Sequence, residues 1–328
     1  MRKIVFILLS LGLVFTWACE KTIEIDIEAT KPRLVLNAVI NPDSTIAVFL
    51  SRSMHILDNQ NVMRITNARV FFYEDDIEIA EMQHVENGMY VCDYYPKIGK
   101  KYSVKASAKD FDDIKASCEI VPPVSITQID TLTTYDEYNN PNLVVDINFK
   151  DPPEQGNYYI IHADMQFTSE YIDYSQFRVD TLYQNQDTVI IDTTWGILVK
   201  NKFREVVGLN SDDMIVEQIY LGGISGFIFS DEIINSQSYA VKFNLSIYSW
   251  VDTDELKYTF YFKSISRDYY YYLRTLNAHH DAVNDPFAEP VFVHSNVENG
   301  IGVFGSFTQD VDSIIIDPSR FEYNWYYK

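Results

Sequence analysis

Between Tyr239 and Ile247 every second residue is apolar: Tyr239, Val241, Phe243, Leu245 and Ile247 alternate with Ala240, Lys242, Asn244 and Ser246. Successive side chains of an extended chain point to opposite faces, so the pattern is a strand with one face in a core and the other in water. Half-wet strands of this kind belong to antiparallel sheets, because parallel sheets are covered on both faces. The pattern fills most of the chain. Leu34–Ile40 ends at Asn41-Pro42-Asp43. Ile46, Val48 and Leu50 alternate next, then Ala68, Val70 and Phe72. Gly88–Cys92 follows Glu86-Asn87-Gly88, a strong hairpin signal. Tyr102, Val104 and Ala106 continue the pattern, and Cys118 and Ile120 close it. About seven short strands with regular turns predict an immunoglobulin- or transthyretin-like β-sandwich over residues 32–121.

Pro122-Pro123 breaks the pattern and marks a domain boundary. Beyond it the strands lengthen: Ile126–Thr133, Leu143–Phe149, Tyr158–Met165, Phe177–Tyr183 and Thr188–Asp192. Tyr258, Phe260, Phe262 and Ile265 read as the partner of the Tyr239 strand. Residues 124–328 are therefore predicted to form a larger antiparallel β-domain. One helix is expected near 266–280, where Tyr269, Tyr272, Leu273 and Leu276 recur at helical spacing. Ser266 is a suitable N-cap, and Asp268 suits the positive end of the helix dipole. The fold class is thus mostly β, a sandwich plus a larger antiparallel domain carrying one amphipathic helix.

At the start, Arg2 and Lys3 precede an apolar run from Ile4 to Phe15, and Ala18 stands before Cys19. This is the layout of a secretory signal, and the run is too short for a membrane-spanning helix. A cysteine directly after the cleavage site can be acylated on both its thiol and its freed amine, which gives stable anchoring. Residues 1–18 are read as a removed signal peptide, Cys19 as the lipidated first residue, and 19–31 as an acidic tether; the alternative is an ordinary secretory signal.

The chain carries 47 acidic and 26 basic residues, a net charge of −21. That excludes nucleic acid as a partner, since phosphates need Lys and Arg. It also leaves membrane attachment to the lipid. Cys92 and Cys118 remain beside Cys19. In an exported, oxidising setting they are either a disulfide or two buried thiols.

The remaining constellations favour structure over chemistry. His279 and His280 are adjacent on the predicted helix and point about 100° apart, so they do not converge on one ion. Asp110–Asp113 and Asp252–Glu255 lack the glycine and distal glutamate of an EF-hand. Leu221–Gly226 misses the nucleophile elbow, and Gly300–Gly305 lacks the βαβ context of a dinucleotide fingerprint. No metal, cofactor or catalytic residue is expected. The 24 tyrosines read first as core and cross-strand packing, second as stacking platforms for sugars. Phe321–Tyr327 alternates and reads as a last strand, or else as an exposed aromatic edge that docks a partner by strand addition. An Asp-Ser/Thr triplet occurs at Ser44, Thr131, Thr181, Thr188, Thr193 and Ser313. It is similar to the O-glycosylation motif of exported Bacteroidota proteins, and one or two of these sites, in exposed loops, are expected to be modified.

Four stretches carry a family resemblance: Cys19–Ile27, Leu34–Asp43, Ile265–Leu273 and Glu289–Gly305. With them the chain resembles the Bacteroidota lipoproteins of the domain-of-unknown-function 4249 family over nearly its whole mature length. The resemblance implies an outer-membrane lipoprotein, often encoded beside a TonB-dependent transporter, and no assigned activity. Glu20-Lys21-Thr22-Ile23-Glu24 is similar to the signal that sends lipoproteins of this phylum to the cell surface. The expected function is non-enzymatic, as an accessory or binding protein of that transporter. An independent adhesin or glycan-binding module is the alternative, and a hydrolase with an unseen site the third reading. Pro290–Gly305 is expected to be a core hairpin turning at Asn299-Gly300, or else a hairpin that presents His294, Ser295 and Asn296 to a partner.

Overall fold

The computed structural model describes residues 31–54, 62–137, 141–183, 189–221, 224–246, 255–283, 285 and 287–317. The first part of the chain holds β1 (Leu34–Ile40), β2 (Ile46–Arg52), β3 (Arg69–Glu74), β4 (Ile77–Glu81), β5 (Gln83–Glu86), β6 (Met89–Cys92), β7 (Lys101–Ser107) and β8 (Ile114–Glu119). After the diproline come β9 (Ile126–Tyr135), β10 (Pro141–Lys150), β11 (Tyr158–Tyr183), β12 (Val189–Val207), β13 (Glu217–Leu221), β14 (Ile224–Ser230), β15 (Ser238–Ser246) and β16 (Leu256–Ile265). Helix α1 (Arg267–Val283), β17 (Val297–Glu298) and β18 (Ile301–Ile316) follow.

One ten-stranded sheet runs through the molecule in the order β13-β14-β11-β16-β18-β1-β2-β6-β5, with β12 paired to β11. The five-stranded sheet β17-β8-β7-β3-β4 covers one end of it. Leu36, Val48, Phe72, Tyr90, Val104 and Phe304 are buried between the two. The three-stranded sheet β15-β10-β9 covers the other end, around Val145, Ile147, Phe149, Phe243, Phe260 and Phe262. The predicted alternation is what fills these cores: β10 and β16 bury every second residue along most of their length.

Strand β18 belongs to both halves. Its first six residues run parallel to β1, with Val35 opposite Ile301 and Ile40 opposite Ser306. Its last ten run antiparallel to β16, with Ile265 opposite Phe307 and Leu256 opposite Ile316. A parallel pair departs from the expected all-antiparallel order. It arises because β18 reaches β1 from far along the chain, with no hairpin to fix an antiparallel register. Val297 and Phe304 therefore lie in the core of the first sandwich, across the diproline boundary.

The expected Pro290–Gly305 hairpin is an arch. Val291 and Val293 lie outside the strands. β17 pairs with β8 of the small sheet and β18 with β1 of the large one, so Asn299-Gly300 carries the chain between sheets. Asn299 has a φ of 58°. A Cβ on Gly300 would lie 2.7 Å from Val297 Cγ1 and 2.9 Å from Ile114 Cγ2, which is why the arch is tight here. The Asn87-Gly88 hairpin forms as predicted, with φ of 50° and 77°, and Asp75-Asp76 does the same between β3 and β4.

Helix α1 packs on the large sheet against Ile160, Ile228 and Ile265. Its buried residues are Tyr270 and Leu273; Tyr269 and Tyr272 pack partly buried against the same cluster and Leu276 is half-buried, so Tyr270 widens the predicted apolar stripe. The Ser266 hydroxyl accepts the Ser306 N–H at 3.0 Å, so the predicted cap side chain is used by the passing β18. Among the described residues no helix is long and apolar enough to cross a membrane.

β11 pairs with β12 from Ala163–Val207 as far as Tyr183–Val189, whereas its pairing with β16 stops at Phe167–Leu256. Among the described residues the two strands therefore continue from Thr168 to Tyr183 as a ribbon beyond the sheet, about 50 Å long at ~3.3 Å per residue.

Candidate functional site

The chain re-enters beneath the start of α1 through His294, Ser295 and Asn296. The Asn296 amide oxygen accepts the Phe304 N–H at 2.9 Å, and its nitrogen donates to the Phe304 carbonyl at 2.9 Å and the Ser117 carbonyl at 3.1 Å. His294 Nε2 lies 2.9 Å from Asp268 Oδ1, and the His294 N–H donates to Thr275 Oγ1 at 2.8 Å. Ser295 Oγ accepts the Val297 N–H at 3.2 Å. These bonds tie the helix, β8 and β18 together, which favours the architectural reading of this segment over presentation to a partner.

Cys92 and Cys118 are both free and both buried, the second of the two readings left open by the sequence. They stand on facing sheets, β6 and β8. Burial, reinforced by the Asp268 carboxylate, pushes the Cys118 thiol well up; burial and then Asp93 raise that of Cys92. Neither is poised as a nucleophile.

A crevice of about 240 Å³ opens where Val121-Pro122, Asn157–Tyr159 and the helix start meet. The nearby buried carboxylates are already engaged. Asp231 accepts the Gly156 N–H at 2.9 Å and the Asn157 amide at 3.1 Å. Asp151 accepts the Tyr159 hydroxyl and, at 2.9 Å, the Ser236 N–H; burial raises its pKa and these bonds pull it back. Both acids hold loops in place.

A second cleft, about 230 Å³, lies between α1 and the β13–β14 edge and is lined by Tyr158, Tyr270, Tyr271, Arg274, Glu217 and Glu232. Tyr158 and Tyr270 rings lie 4.6 Å apart, and Tyr270 meets Tyr271 edge-on at 5.3 Å. Arg274 Nε bonds Glu217 at 2.8 Å. Burial, then the Tyr271 hydroxyl, pushes Tyr158 up to about 12, so it remains a neutral hydroxyl. Aromatic walls bearing hydroxyls beside one cation and two carboxylates can grip a polyhydroxylated ligand. The sequence showed the tyrosines but not that Tyr158, over a hundred residues upstream, joins the helical pair.

His162 carried no signal in the sequence. It stacks on Tyr261 at 4.7 Å and 13°, its Nδ1 is buried without a partner among the described residues, and burial lowers its pKa to about 4. Alongside, Arg204 Nε bonds Asp164 at 2.8 Å and Arg204 Nη2 bonds the Tyr261 hydroxyl at 2.6 Å.

The other candidates stay apart. His279 Nδ1 meets the Val291 carbonyl at 2.8 Å while His280 is exposed, and among the described residues no three metal-binding side chains converge. Ser225 sits inside β14 opposite Tyr220. Ser44 lies in an exposed turn, where its Oγ accepts the Asn41 amide at 2.9 Å. Thr131 and Ser313 are exposed but within β9 and β18. Thr181 and Thr193 fall in the ribbon strands. Cys19, Thr188, residues 252–254 and the Phe321–Tyr327 segment lie outside the described residues.

A family model described as "Domain of unknown function (DUF4249)" matches residues 20–313. The chain belongs to the DUF4249 family. No curated protein matches it. Among solved structures, this DUF4249 chain is similar at 8% identity to the collagen-binding domain of Erysipelothrix rhusiopathiae surface protein RspB, covering 87% of this chain and 96% of that one with a TM-score of 0.21. Collagen adhesin (CNA) from S. aureus aligns at 8% identity over 88% of this chain and 95% of that one, with a TM-score of 0.21. A Bacteroides uniformis beta-glucuronidase aligns at 9% identity over 68% of this chain, with a TM-score of 0.16, and the DUF4249 chain spans 30% of its length. Superpositions this loose transfer neither ligand nor activity.

Proposed function

We propose that this DUF4249 protein is a lipoprotein anchored through Cys19 in the outer membrane, facing the cell surface, where it serves a TonB-dependent transporter as a binding accessory rather than as an enzyme. The observation that carries the reading is the placement of two ends of the large sheet. β1 begins beside Ile301, β18 runs from there to Ile316, and β11 passes Leu256 and continues into the ribbon. The attachment end and the ribbon thus lie at opposite ends of one continuous sheet. A lipid holding one end confines the protein to two dimensions beside a membrane partner and raises its effective concentration there. The ribbon, whose outer edges pair with no other strand among the described residues, is suited to engage that partner by strand addition. Binding is favoured over catalysis because the buried carboxylates Asp151, Asp164 and Asp231 are each held by donors of the fold.

A second reading, an independent glycan-binding module, is favoured by the Tyr158–Tyr270–Tyr271 cleft.

Cys19→Ser tests the first reading. The variant should remain as unlipidated precursor or soluble periplasmic form, and the wild type should bring a stoichiometric transporter out of solubilised membranes. A Cys19→Ser protein that still fractionates with the outer membrane would reveal a different anchor. Wild type that purifies alone yet binds glycan, with loss on Tyr271→Ala, would favour the second reading.

A further inference from the structure

Lys31, whose ammonium pairs with Asp112 at 3.2 Å, precedes β1 at an end of the sandwich that also carries an exposed apolar cluster. Arg33 is fixed to the end of β2: its N–H donates to Ser53 Oγ at 2.9 Å, and the Ser53 N–H donates to its carbonyl at 2.8 Å. The Arg52 N–H reaches the Met63 carbonyl at 3.0 Å, and Ser51 bridges to Arg64. Met54, Val62 and Met63 at this end are 38%, 55% and 42% exposed. Next to them an open depression of about 670 Å³ is lined by Phe49, Met89, Val85, Arg64, Glu86 and Asn87. Phe49 and Met89 are directly opposite on β2 and β6 and form its apolar floor.

Three guanidinium groups surround this patch. Arg33 donates to the Gly300 carbonyl and Arg64 to Asn87 Oδ1 at 2.8 Å, while Arg52 Nε is buried without a partner among the described residues. None of the three is ion-paired to a carboxylate among the described residues. The wider charge distribution has the same polarity. Residues 31–121 carry 11 basic and 13 acidic side chains, whereas residues 122–328 carry 12 basic and 30 acidic ones. Beside a layer of phosphates, the first part is nearly neutral and the second is repelled.

We infer that the end bearing Met54, Val62, Met63 and Val85 is a membrane-seating surface, which places these side chains in the lipid interface of the leaflet that holds the anchor and Arg33, Arg52 and Arg64 against headgroup phosphates. The inference rests on lipid anchoring at Cys19. A tether of residues 19–31 spans up to ~45 Å if extended, which alone would let the body tumble. The patch fixes one orientation, and the acidic half with its ribbon points away from the bilayer. Guanidinium suits this role because it binds phosphate oxygens bidentately and is weakly hydrated.

The test uses the full lipidated chain in vesicles of phosphatidylethanolamine and phosphatidylglycerol with brominated acyl chains. A bimane label is placed at Val62→Cys, Val85→Cys or, on the second half, Leu132→Cys. Most of the emission should be lost at positions 62 and 85 and none at 132. A Val62→Glu, Met63→Glu pair added to the Val85→Cys protein should restore emission while the lipid keeps the protein on the vesicles. Protein that floats with vesicles but shows no quenching at 62 and 85 overturns the inference and leaves the anchor intact. Protein that neither floats nor incorporates fatty acid overturns the anchor itself. Labels shielded from water-soluble quencher in native outer membranes but unquenched in vesicles would assign the patch to a protein partner and overturn the lipid reading.

Discussion

The side-chain amide of Asn296 pairs with the backbone of Phe304 in both directions, accepting its N–H and donating to its carbonyl, each at 2.9 Å. One side chain thereby supplies β18 with the two bonds a neighbouring strand would give. The third, to the Ser117 carbonyl at 3.1 Å, reaches across to β8. The loop before β17 is joined to both sheets of the first sandwich through this residue.

Asn296→Ala should therefore cost about 1–3 kcal/mol, because it leaves backbone groups of Phe304 and Ser117 without partners in a partly buried region. Urea denaturation monitored by tryptophan fluorescence measures it. A loss below about 0.5 kcal/mol, the size of an ordinary surface change, would remove Asn296 from the architecture.

Gly302→Ala should be worse. Gly302 has a φ of 113°, and a Cβ there would lie 2.1 Å from the Leu36 carbonyl oxygen, a backbone atom that cannot move aside. Gly99 has a φ of 74° but open space around it. Gly99→Ala should cost only about 1 kcal/mol of backbone strain, whereas Gly302→Ala should prevent soluble expression. Comparable thermal midpoints for the two variants would contradict the close approach of β18 to β1.

How far the sequence could show this depends on the range of the interaction. Alternation within Leu256–Ile265 and the Asn87-Gly88 turn are local, and both were legible. Helical spacing after Ser266 showed α1 but not that Tyr270 joins its packed face, since the sheet beneath, through Ile160 and Ile228, takes up Tyr270 beside Tyr269. The parallel pairing of Val35 with Ile301 left no trace, because nothing in either strand encodes a partner over 260 residues away. Asn299-Gly300 was visible as a turn signal, and Gly302 and Gly305 only as punctuation of the strand after it. Their cause is close packing: a Cβ on Gly305 would meet Tyr269 Cβ at 2.7 Å. The tyrosine cleft and the Arg33–Met63 end are likewise assembled from segments distant in sequence.

The thiols give a simple chemical check. Cys92 and Cys118 are buried and raised in pKa, so in the unlipidated Cys19→Ser protein neither should react with a thiol reagent at pH 8 until denaturant is added, when both should. Two thiols missing after denaturation without reductant would mean that a disulfide links them.

His162 makes stability fall in mild acid. Its folded pKa of about 4 lies below the 6.5 of an unfolded histidine. As pH drops through this window the unfolded chain takes up a proton that the folded one refuses. The contribution is whole above pH 6.5 and is lost toward pH 4, up to about 3 kcal/mol. The charged groups facing it, Lys263 and Arg204, oppose protonation, and Asp164 favours it. Comparing urea midpoints of wild type and His162→Phe across pH 4–7 isolates the effect: the variant should show a shallower slope, and identical slopes would mean that the imidazole is protonated in the folded protein.

The most direct test of the account is removal of the ribbon. Replacing residues 170–200 with a two-residue turn keeps Ser169 opposite Asn201, shortens β11 and β12 to about the part that borders the sheet and leaves both cores intact. Full-length and shortened proteins, each lipidated at Cys19, are purified from solubilised outer membranes and the co-purifying transporter is quantified. The account predicts equal membrane fractionation, a stoichiometric transporter with the full-length chain and none with the shortened one. An equal yield of transporter with both, or none with either, would contradict it.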